Sequence, residues 1–241
     1  LTIRTDSIMK IGIMQPYFFP YIGYFQLINA VDEFVIYDNI EYTKKGWINR
    51  NRILVNNVDK YISLPLKKDS DFLHVKERCL AESWAKENKL LLNRIKESYK
   101  KAPYFDLAFQ LVESCLNLSD MNLFDFIFRT LIMTNEYLEI KTNIVVSSNI
   151  DIDHGLKGEE KVIAICKNRK ATKYYNAIGG MQLYSKENFY KEKIELQFLK
   201  TNDIRYRQFS QGFVPLLSII DVMMFNSKEE INGFLKEFTL V

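Results

Sequence analysis

Lys10–Arg52, KIGIMQPYFFPYIGYFQLINAVDEFVIYDNIEYTKKGWINRNR, is the stretch that decides the fold class of this chain. Its short apolar run at 11–14 predicts a buried strand, and the two prolines of the loop at 15–20 exclude a helix there. Apolar residues then recur at helical spacing through 21–31, and 33–37 has the pattern of a second buried strand. This order of elements predicts a βαβ unit.

In a sheet built from such units, ligands bind at the carboxyl ends of the strands. The loops at 15–21 and 38–52 follow the two predicted strands, and both are rich in aromatic and hydrogen-bonding side chains. We therefore expect the functional site at these loops.

The rest of the chain alternates between strand and helix patterns, with a hairpin and three consecutive helices in between. The further predicted strands are 53–55, 60–66, 73–75, 143–146, 173–176 and 194–199, and the helices are 83–100, 105–118, 122–138, 158–170, 181–190, 214–225 and 227–238. This alternation predicts an α/β fold with a mostly parallel sheet flanked by helices. We expect a single domain at 9–241, a helical insert or subdomain at about 83–140, and an N-terminal extension at 1–8.

The composition is that of a globular protein, with 47% hydrophobic and 26% charged residues among 241. A net charge of +3 is too small to indicate a nucleic-acid partner or a membrane surface. The three cysteines and two histidines lack zinc-ligand spacing, so we expect no metal site and reduced thiols in a cytoplasmic protein. We expect neither a membrane span nor a signal peptide.

Several catalytic motifs are missing from the sequence. It contains no Walker loop, no GxGxxG, no GxSxG elbow and no paired metal-binding carboxylates. Their absence argues against a dehydrogenase, a kinase of known type and a serine hydrolase.

Tyrosines are concentrated near the lead unit, where they either build a core or line a pocket with hydroxyl groups. They are Tyr17, Tyr21, Tyr24, Tyr37 and Tyr42.

The loop at 41–52 combines cations, amides and a flat ring, which suits a nucleotide or nucleotide-sugar ligand. Its candidate ligand-binding residues are Lys44, Lys45, Trp47, Asn49 and Arg50. A solvated basic loop is the alternative. Asp38, at the end of the preceding strand, binds either a ribose or a metal-bound water, or caps the turn.

A second candidate set lies near the predicted helix at 158–170. Lys157 and Gly158 at its start form a candidate anion site, because the first amides of a helix are free to donate. His154 is the best candidate base of the chain, or an incidental loop histidine. Asn176, Gly179 and Gly180 follow a predicted strand and form either a ligand-approach loop or an ordinary turn.

The third set precedes and enters a predicted helix near the C-terminus. Gln211 lies in a polar loop, and Asp221 lies within an apolar run, where a carboxylate needs a partner. A bound amine or an arginine would provide one, and an N-cap or a salt bridge is the alternative.

The segment Phe19–Tyr24, FPYIGY, resembles the frame of nucleotidyltransferases of the HIGH type, with Tyr21 and Tyr24 in place of the two histidines. That resemblance implies a nucleotidyltransferase or HUP-like Rossmannoid fold, with Gln15 in the preceding loop and with Tyr21, Gly23 and Tyr24 beside an α-phosphate. The alternative is that Gly23 allows close helix–sheet packing among core aromatics.

Over nearly its whole length the chain resembles the WbqC-like family of bacterial proteins. Three blocks carry this resemblance: MKIGIMQPYFFPYIGYFQLI with DEFVIYDNIEYTKKGWINRNRI at 9–53, KGEEKVIAICK with YYNAIGGMQLY at 157–184, and SQGFVPLLSIIDVMMFNS at 210–227. The resemblance implies a role in O-antigen or other surface-polysaccharide synthesis, such as adding a glycyl or other acyl group to a sugar amine. It brings no settled set of catalytic residues.

The hypothesis is an enzyme that joins an amino acid or other acyl group to the amine of a nucleotide-linked sugar, with ATP and Mg forming an acyl-adenylate. Lys45, Arg50 and Lys157 would neutralise phosphates, and His154 or Asp221 would take the proton of the amine. One alternative is a non-catalytic nucleotide-sugar binding or scaffold protein with a degenerate nucleotidyltransferase fold. Another is acyl transfer from a carrier or an aminoacyl-tRNA. All of these interpretations require that distant segments, marked by Gln15, Arg50, Lys157 and Gly180, converge on one rim of the sheet.

Overall fold

The computed structural model describes residues 8–241, so the predicted extension at 1–8 lies, except for Ile8, outside the described residues. Its strands are β1 (Lys10–Met14), β2 (Glu33–Ile36), β3 (Arg50–Val55), β4 (Val58–Ser63), β5 (Asn143–Val146), β6 (Lys173–Ala177), β7 (Glu195–Thr201) and β8 (Phe238–Leu240). Its α-helices are α1 (Ile22–Asn29), α2 (Trp84–Tyr99), α3 (Phe105–Leu116), α4 (Leu123–Tyr137), α5 (Gly158–Asn168), α6 (Lys186–Lys191), α7 (Ile219–Phe225) and α8 (Lys228–Phe234).

The main sheet has six strands in the order β5-β2-β1-β6-β7-β8, and every neighbouring pair described is parallel except β7 with β8. The prediction of an α/β fold with a mostly parallel sheet flanked by helices is confirmed. From β1 the chain moves outward to β2 and β5, then returns to the other side of β1 to form β6 and β7. The boundary between β1 and β6 is therefore a topological switch point, the place where open α/β sheets bind their ligands.

The alternation of side chains along the central strands divides the apolar core between the two faces of the sheet. Ile11 and Ile13 of β1 face the cluster that contains Val162 and Ile165 of α5, and Phe34 of β2 faces the cluster that contains α1. Gly12 of β1 lies on the α1 face, where an added Cβ would come within 3.1 Å of the Phe34 ring.

The three helices α2–α4 occupy the stretch where an insert or subdomain was predicted. Their buried residues belong to the same apolar cluster as α1, the β3–β4 hairpin and α7, so this region shares one continuous core with those elements. Asn122 caps α4, since its side-chain oxygen accepts a hydrogen bond from Asp125 N at 3.1 Å.

Several predicted element boundaries are wrong. The strand expected at 73–75 is a loop with one turn of 3-10 helix at Val75–Glu77, held by a capping box between His74 and Glu77. The helix expected at 181–190 is interrupted, because 3-10 geometry extends over Ile178–Leu183 and α6 starts only after Ser185.

The C-terminal segment also departs from prediction. The helix expected at 214–225 begins only at Ile219, because Leu216 has a φ of 56° and Ser218 caps the helix. The helix expected at 227–238 ends at Phe234, and the chain then forms β8 against β7.

Across residues 8–241, no helix combines the length and the apolar character that a membrane crossing would require.

Candidate functional site

A cavity of about 840 Å³ lies at the carboxyl ends of β1, β2 and β6, beside the switch point. Its volume is within the usual range for small-molecule sites. The cavity is lined by Gln15 after β1, Asn39 after β2 and Asn176 in β6, together with the loop that leads into α5.

The cavity collects predicted site residues from three distant parts of the sequence. Ten of them line it: Gln15, Tyr17, Tyr21, Trp47, His154, Lys157, Gly158, Asn176, Gly179 and Gly180. The predicted convergence thus holds for Gln15, Lys157 and Gly180, whereas Arg50 and the other predicted residues do not line the cavity.

The N-terminus of α5 forms one wall. Lys157 is its N-cap residue, and Gly158 has a φ of +53°, a left-handed conformation that favours glycine. The backbone N–H groups of residues 158–160 have no acceptor within the described chain. The carboxylate of Glu159 does not occupy them, because it accepts hydrogen bonds from Ser185 N and from Asn188 Nδ2 at 2.6 Å. These amides are therefore available to an anion.

Next to the α5 N-terminus, the Asn39 side chain connects two cavity residues. Its Nδ2 lies 2.9 Å from His154 Nδ1, and its Oδ1 lies 3.3 Å from Lys161 Nζ. The Ser147 hydroxyl lies 2.7 Å from Asn39 Oδ1 and 2.8 Å from Asp38 Oδ1. A single amide thus fixes the positions of an imidazole and an ammonium group.

Asp38 does not line the cavity; it is 3% exposed and supports the amide from behind. Burial alone would raise the pKa of its carboxyl group, but hydrogen bonds from Ser148 and Ser147 and the charge of Lys76 outweigh burial and lower the pKa. Asp38 therefore remains ionised and anchors the end of β2 to the 3-10 turn after β5.

Lys161 is the buried cation of the site, with 6% of its surface exposed. Burial lowers its pKa from the usual value; the charge of Asp38 opposes this shift and that of Lys76 adds to it. Within residues 8–241, no carboxylate oxygen lies within 4 Å of its ammonium group.

On the β6 side, Gly180 approaches the Asn176 side chain so closely that a Cβ on Gly180 would lie 2.6 Å from Asn176 Nδ2. Gly179 has nothing within 4 Å of the corresponding position. The glycine at 180 therefore lets the Asn176 amide sit at the cavity floor, whereas 179 tolerates a side chain.

Phenol groups line much of the remaining wall. Phenols are neutral near pH 7 even in water, and burial raises the pKa of Tyr17, Tyr21, Tyr37 and Tyr184 further. Tyr24 differs, because it is 2% exposed and its hydroxyl donates to Gln15 O at 2.8 Å.

The HIGH-type frame is only partly at the cavity. A Cβ on Gly23 would lie 2.4 Å from Thr201 Oγ1 and from the Tyr21 ring, so this glycine allows α1 to pack closely in the core. Of the three residues expected beside an α-phosphate, Tyr21 reaches the cavity, whereas Gly23 and Tyr24 are enclosed.

Most of the predicted basic loop is engaged with the protein itself. Arg50 donates to Gly46 O at 2.9 Å and stacks on the Tyr61 ring at 4.9 Å, and Lys44 pairs with Asp71 at 2.8 Å. Lys45 is exposed and does not line the cavity.

Two further residues of that loop hold its shape. The Tyr42 hydroxyl donates to Asn49 Oδ1 at 2.8 Å, and Asn49 Nδ2 donates to Leu64 O at 2.9 Å. Both residues therefore connect the loop to the hairpin rather than to the cavity.

The third predicted set does not join the site. Gln211 is exposed in a loop away from the cavity. Asp221 is fully buried, and its carboxylate accepts hydrogen bonds from Tyr99 at 2.8 Å, Tyr206 at 2.7 Å and Gln208 at 2.8 Å. The predicted need for a partner is met by these hydroxyl and amide donors.

Sequence reasoning missed Lys161 and Tyr184 as cavity residues. Lys161 follows the α5 start by one turn, and its spacing from Lys157 was the only available signal. No signal indicated Tyr184, because the sequence pattern before it predicts a helix. The described chain contains no group of three or more His, Cys, Asp or Glu residues able to hold a metal ion.

Comparison with known proteins gives one family and one relative. A family model described as the WbqC-like protein family matches residues 15–233. An uncharacterised protein of Mycobacterium tuberculosis, Rv1507c, is 29% identical over 231 residues, which cover 94% of this chain and 97% of that protein. No solved structure matches.

Proposed function

Because this chain belongs to the WbqC-like protein family, we propose that it is a cytoplasmic enzyme of O-antigen or other surface-polysaccharide synthesis. In this proposal it transfers an amino acid, such as glycine, or another acyl group to the amine of a nucleotide-linked sugar.

The observation that carries the proposal is the convergence at the switch point. More than 140 positions of sequence separate Gln15 from the α5 N-terminus and from Asn176, yet all three border one cavity of about 840 Å³. Free helix amides, a buried ammonium group and phenol hydroxyls around one cavity are typical of a ligand-binding site, and the packing of the fold does not require them there.

The phosphate groups of the nucleotide bind at the α5 N-terminus in this proposal. Lys157 and the free amides of 158–160 provide positive charge and donors. Lys45 and Arg50 have no part in phosphate binding, since neither lines the cavity.

The sugar and the base contact the rest of the wall. Asn176 and Gln15 offer amide groups that suit sugar hydroxyls, and Trp47 offers a ring at the rim for stacking. Trp47 is held in place by stacking on Tyr61, with ring centroids 6.1 Å apart.

Before an amine can attack it, a free acid must be activated, and we propose ATP as the activating reagent. Mg²⁺ would accompany the phosphates of ATP, because this ion is usually bound through phosphate oxygens and water.

Incubation of the purified protein with ATP, Mg²⁺, glycine and a dTDP-linked amino sugar tests the proposal, with mass spectrometry to detect the amide and AMP. We expect the wild type to form both products. Turnover should fall strongly in K157A and should be unchanged in the surface control K96A. Amide formation without AMP would exclude activation by ATP and would favour acyl transfer from a donor that is already activated. The absence of amide with ATP and with pre-activated acyl donors alike would refute the proposal.

The geometry also favours a second candidate, a non-catalytic protein that binds nucleotide sugars. The two residues expected to take the amine proton are both engaged, since His154 Nδ1 faces an amide donor and Asp221 is enclosed by three donors. If the protein binds the nucleotide sugar tightly in calorimetry but shows no turnover, this second function is favoured.

A further inference from the structure

The orientation of the Asn39 amide can be derived from its neighbours. An ammonium group has only donors, so the atom 3.3 Å from Lys161 Nζ must be the amide oxygen. The backbone oxygen of Asn39 lies 3.5 Å from the same ammonium group. The other end of the amide, Nδ2, therefore faces His154 Nδ1 at 2.9 Å.

This orientation fixes the state of the His154 ring. Because the Asn39 NH₂ group is a donor, His154 Nδ1 must accept, and in the neutral ring the proton is on Nε2. His154 is exposed and lines the cavity, so its Nε2–H group is available to a ligand oxygen. A ring in this state donates a hydrogen bond and does not remove a proton through Nε2.

Lys161 provides a second donor close to the first. Lys161 lies one turn after the start of α5 and lines the same cavity as Gly158, and its ammonium group contacts the Asn39 amide that also holds His154. It has 6% exposure and no carboxylate within 4 Å in the described chain. A buried cation without a counter-ion favours an anionic ligand.

Among the other charged side chains of the described residues, Glu41 also lines the cavity, but its carboxylate lies more than 4 Å from the Lys161 ammonium group. Lys76 is drawn to Asp38 at 3.7 Å, and Glu159 is occupied by the start of α6. The carboxylate of Asp38 faces Ser147 and Ser148 rather than the cavity.

We propose that His154 and Lys161 are the side-chain donors of a phosphate-binding site completed by the α5 amides, and that Asn39 is the positioning residue that holds His154 as its Nε2–H tautomer. The inference deepens the proposed function by assigning the residues that recognise the nucleotide phosphate, and it rests on that function only for the identity of the natural ligand.

The tautomer is measured on the protein without ligand, by long-range ¹H–¹⁵N NMR of the His154 ring. We expect an unprotonated Nδ1 in the wild type. In N39D the carboxylate accepts where the amide donated, so we expect a proton on Nδ1. A protonated Nδ1 in the wild type, or an unprotonated one in N39D, would overturn the assignment.

Binding is measured by calorimetric titration with inorganic phosphate and with dTDP. Glutamine places an N–H donor near the position of Nε2, so H154Q should bind within about 3-fold of the wild type, whereas H154A and K161M should each bind about 10-fold or more weakly. K96A is the surface control, and thermal melting verifies the fold of each variant. Unchanged affinity in folded H154A and K161M would refute the site.

These experiments need no turnover. Intact phosphate binding without amide formation would refute the proposed enzyme and leave the binding site, whereas amide formation with unchanged affinity in H154A and K161M would do the reverse.

Discussion

Replacing Asp221 with alanine tests whether this carboxylate is structural. It accepts hydrogen bonds from Tyr99, Tyr206 and Gln208, and the Tyr99 hydroxyl in turn accepts from Leu54 N at 2.8 Å. The carboxylate thus links α7 to α2, β3 and the loop before α7. Burial raises the pKa of Asp221, and the three donors oppose that shift.

The cost of D221A follows from the donors that it leaves behind. Each buried donor without an acceptor costs about 1–3 kcal/mol, and the relief from removing a buried charge offsets part of the sum. We expect a net loss of about 4 kcal/mol in the free energy of unfolding. For a chain of this length, about 2–4 °C in Tm per kcal/mol gives a decrease of about 8–16 °C.

The assay is urea and thermal unfolding followed by circular dichroism, combined with dTDP binding at a temperature where the variant is folded. The matched control is D203A, since Asp203 pairs with Arg205 at the surface and its loss should cost less than about 1 kcal/mol. We expect D221A to be destabilised and to bind dTDP normally. A stable D221A that has lost only turnover would refute this reasoning and restore the catalytic role predicted from the sequence.

Three further predictions concern other residues. G23A should lose about 1–3 kcal/mol in urea unfolding, because its Cβ would overlap Thr201 and the Tyr21 ring, whereas G179A should be neutral; equal stability of the two variants would contradict the packing role of Gly23. R50A should leave dTDP affinity in calorimetry within about 2-fold, since Arg50 does not line the cavity and its guanidinium group contacts Gly46 O and the rings of Tyr61 and Trp47; a 10-fold loss would place Arg50 in the site. D38N should lose about 2 kcal/mol in the free energy of unfolding at pH 7. Because the pKa of Asp38 is lowered in the folded state, its charge stabilises the fold above about pH 3.8, and this stabilisation is lost as the pH falls through the lower folded pKa. The difference between wild type and D38N in urea unfolding should therefore narrow below pH 3.8, and a constant difference would contradict this.

The sheet was predictable because its signals are local. Short apolar runs such as 11–14 and 34–36 favour buried strands because of their length and β-branched or aromatic residues, and the spacing between them leaves room for one helix. The start of α5 was predictable for the same reason, since Lys157 and Gly158 stand directly before a helical pattern.

The polar partners were not predictable, because they depend on contacts between distant segments. Arg50 has the composition of a ligand-binding residue, yet its guanidinium group turns back onto Gly46 and Tyr61. The need of Asp221 for a partner was visible in the sequence, whereas its three donors were not. His154 was predicted to be a base, and only its contact with Asn39 indicates that it is a donor.

Some boundaries failed where a tertiary contact overrides helical spacing. The segment at 181–190 has helix-forming residues, but Glu159 of α5 binds the amide of Ser185 and starts a new helix there. The contact with Glu159 spans 26 residues of sequence and could not be predicted, whereas Ser185, which caps α6, was the one local signal of a new helix start.

The most direct test of whether these distant segments form one ligand cavity is hydrogen–deuterium exchange with and without dTDP. We expect the ligand to slow exchange together in peptides covering 15–21, 154–161 and 176–184, and to leave exchange in the Asp221 region unchanged. Protection confined to one of these segments, or found only in the basic loop at 43–46, would contradict it.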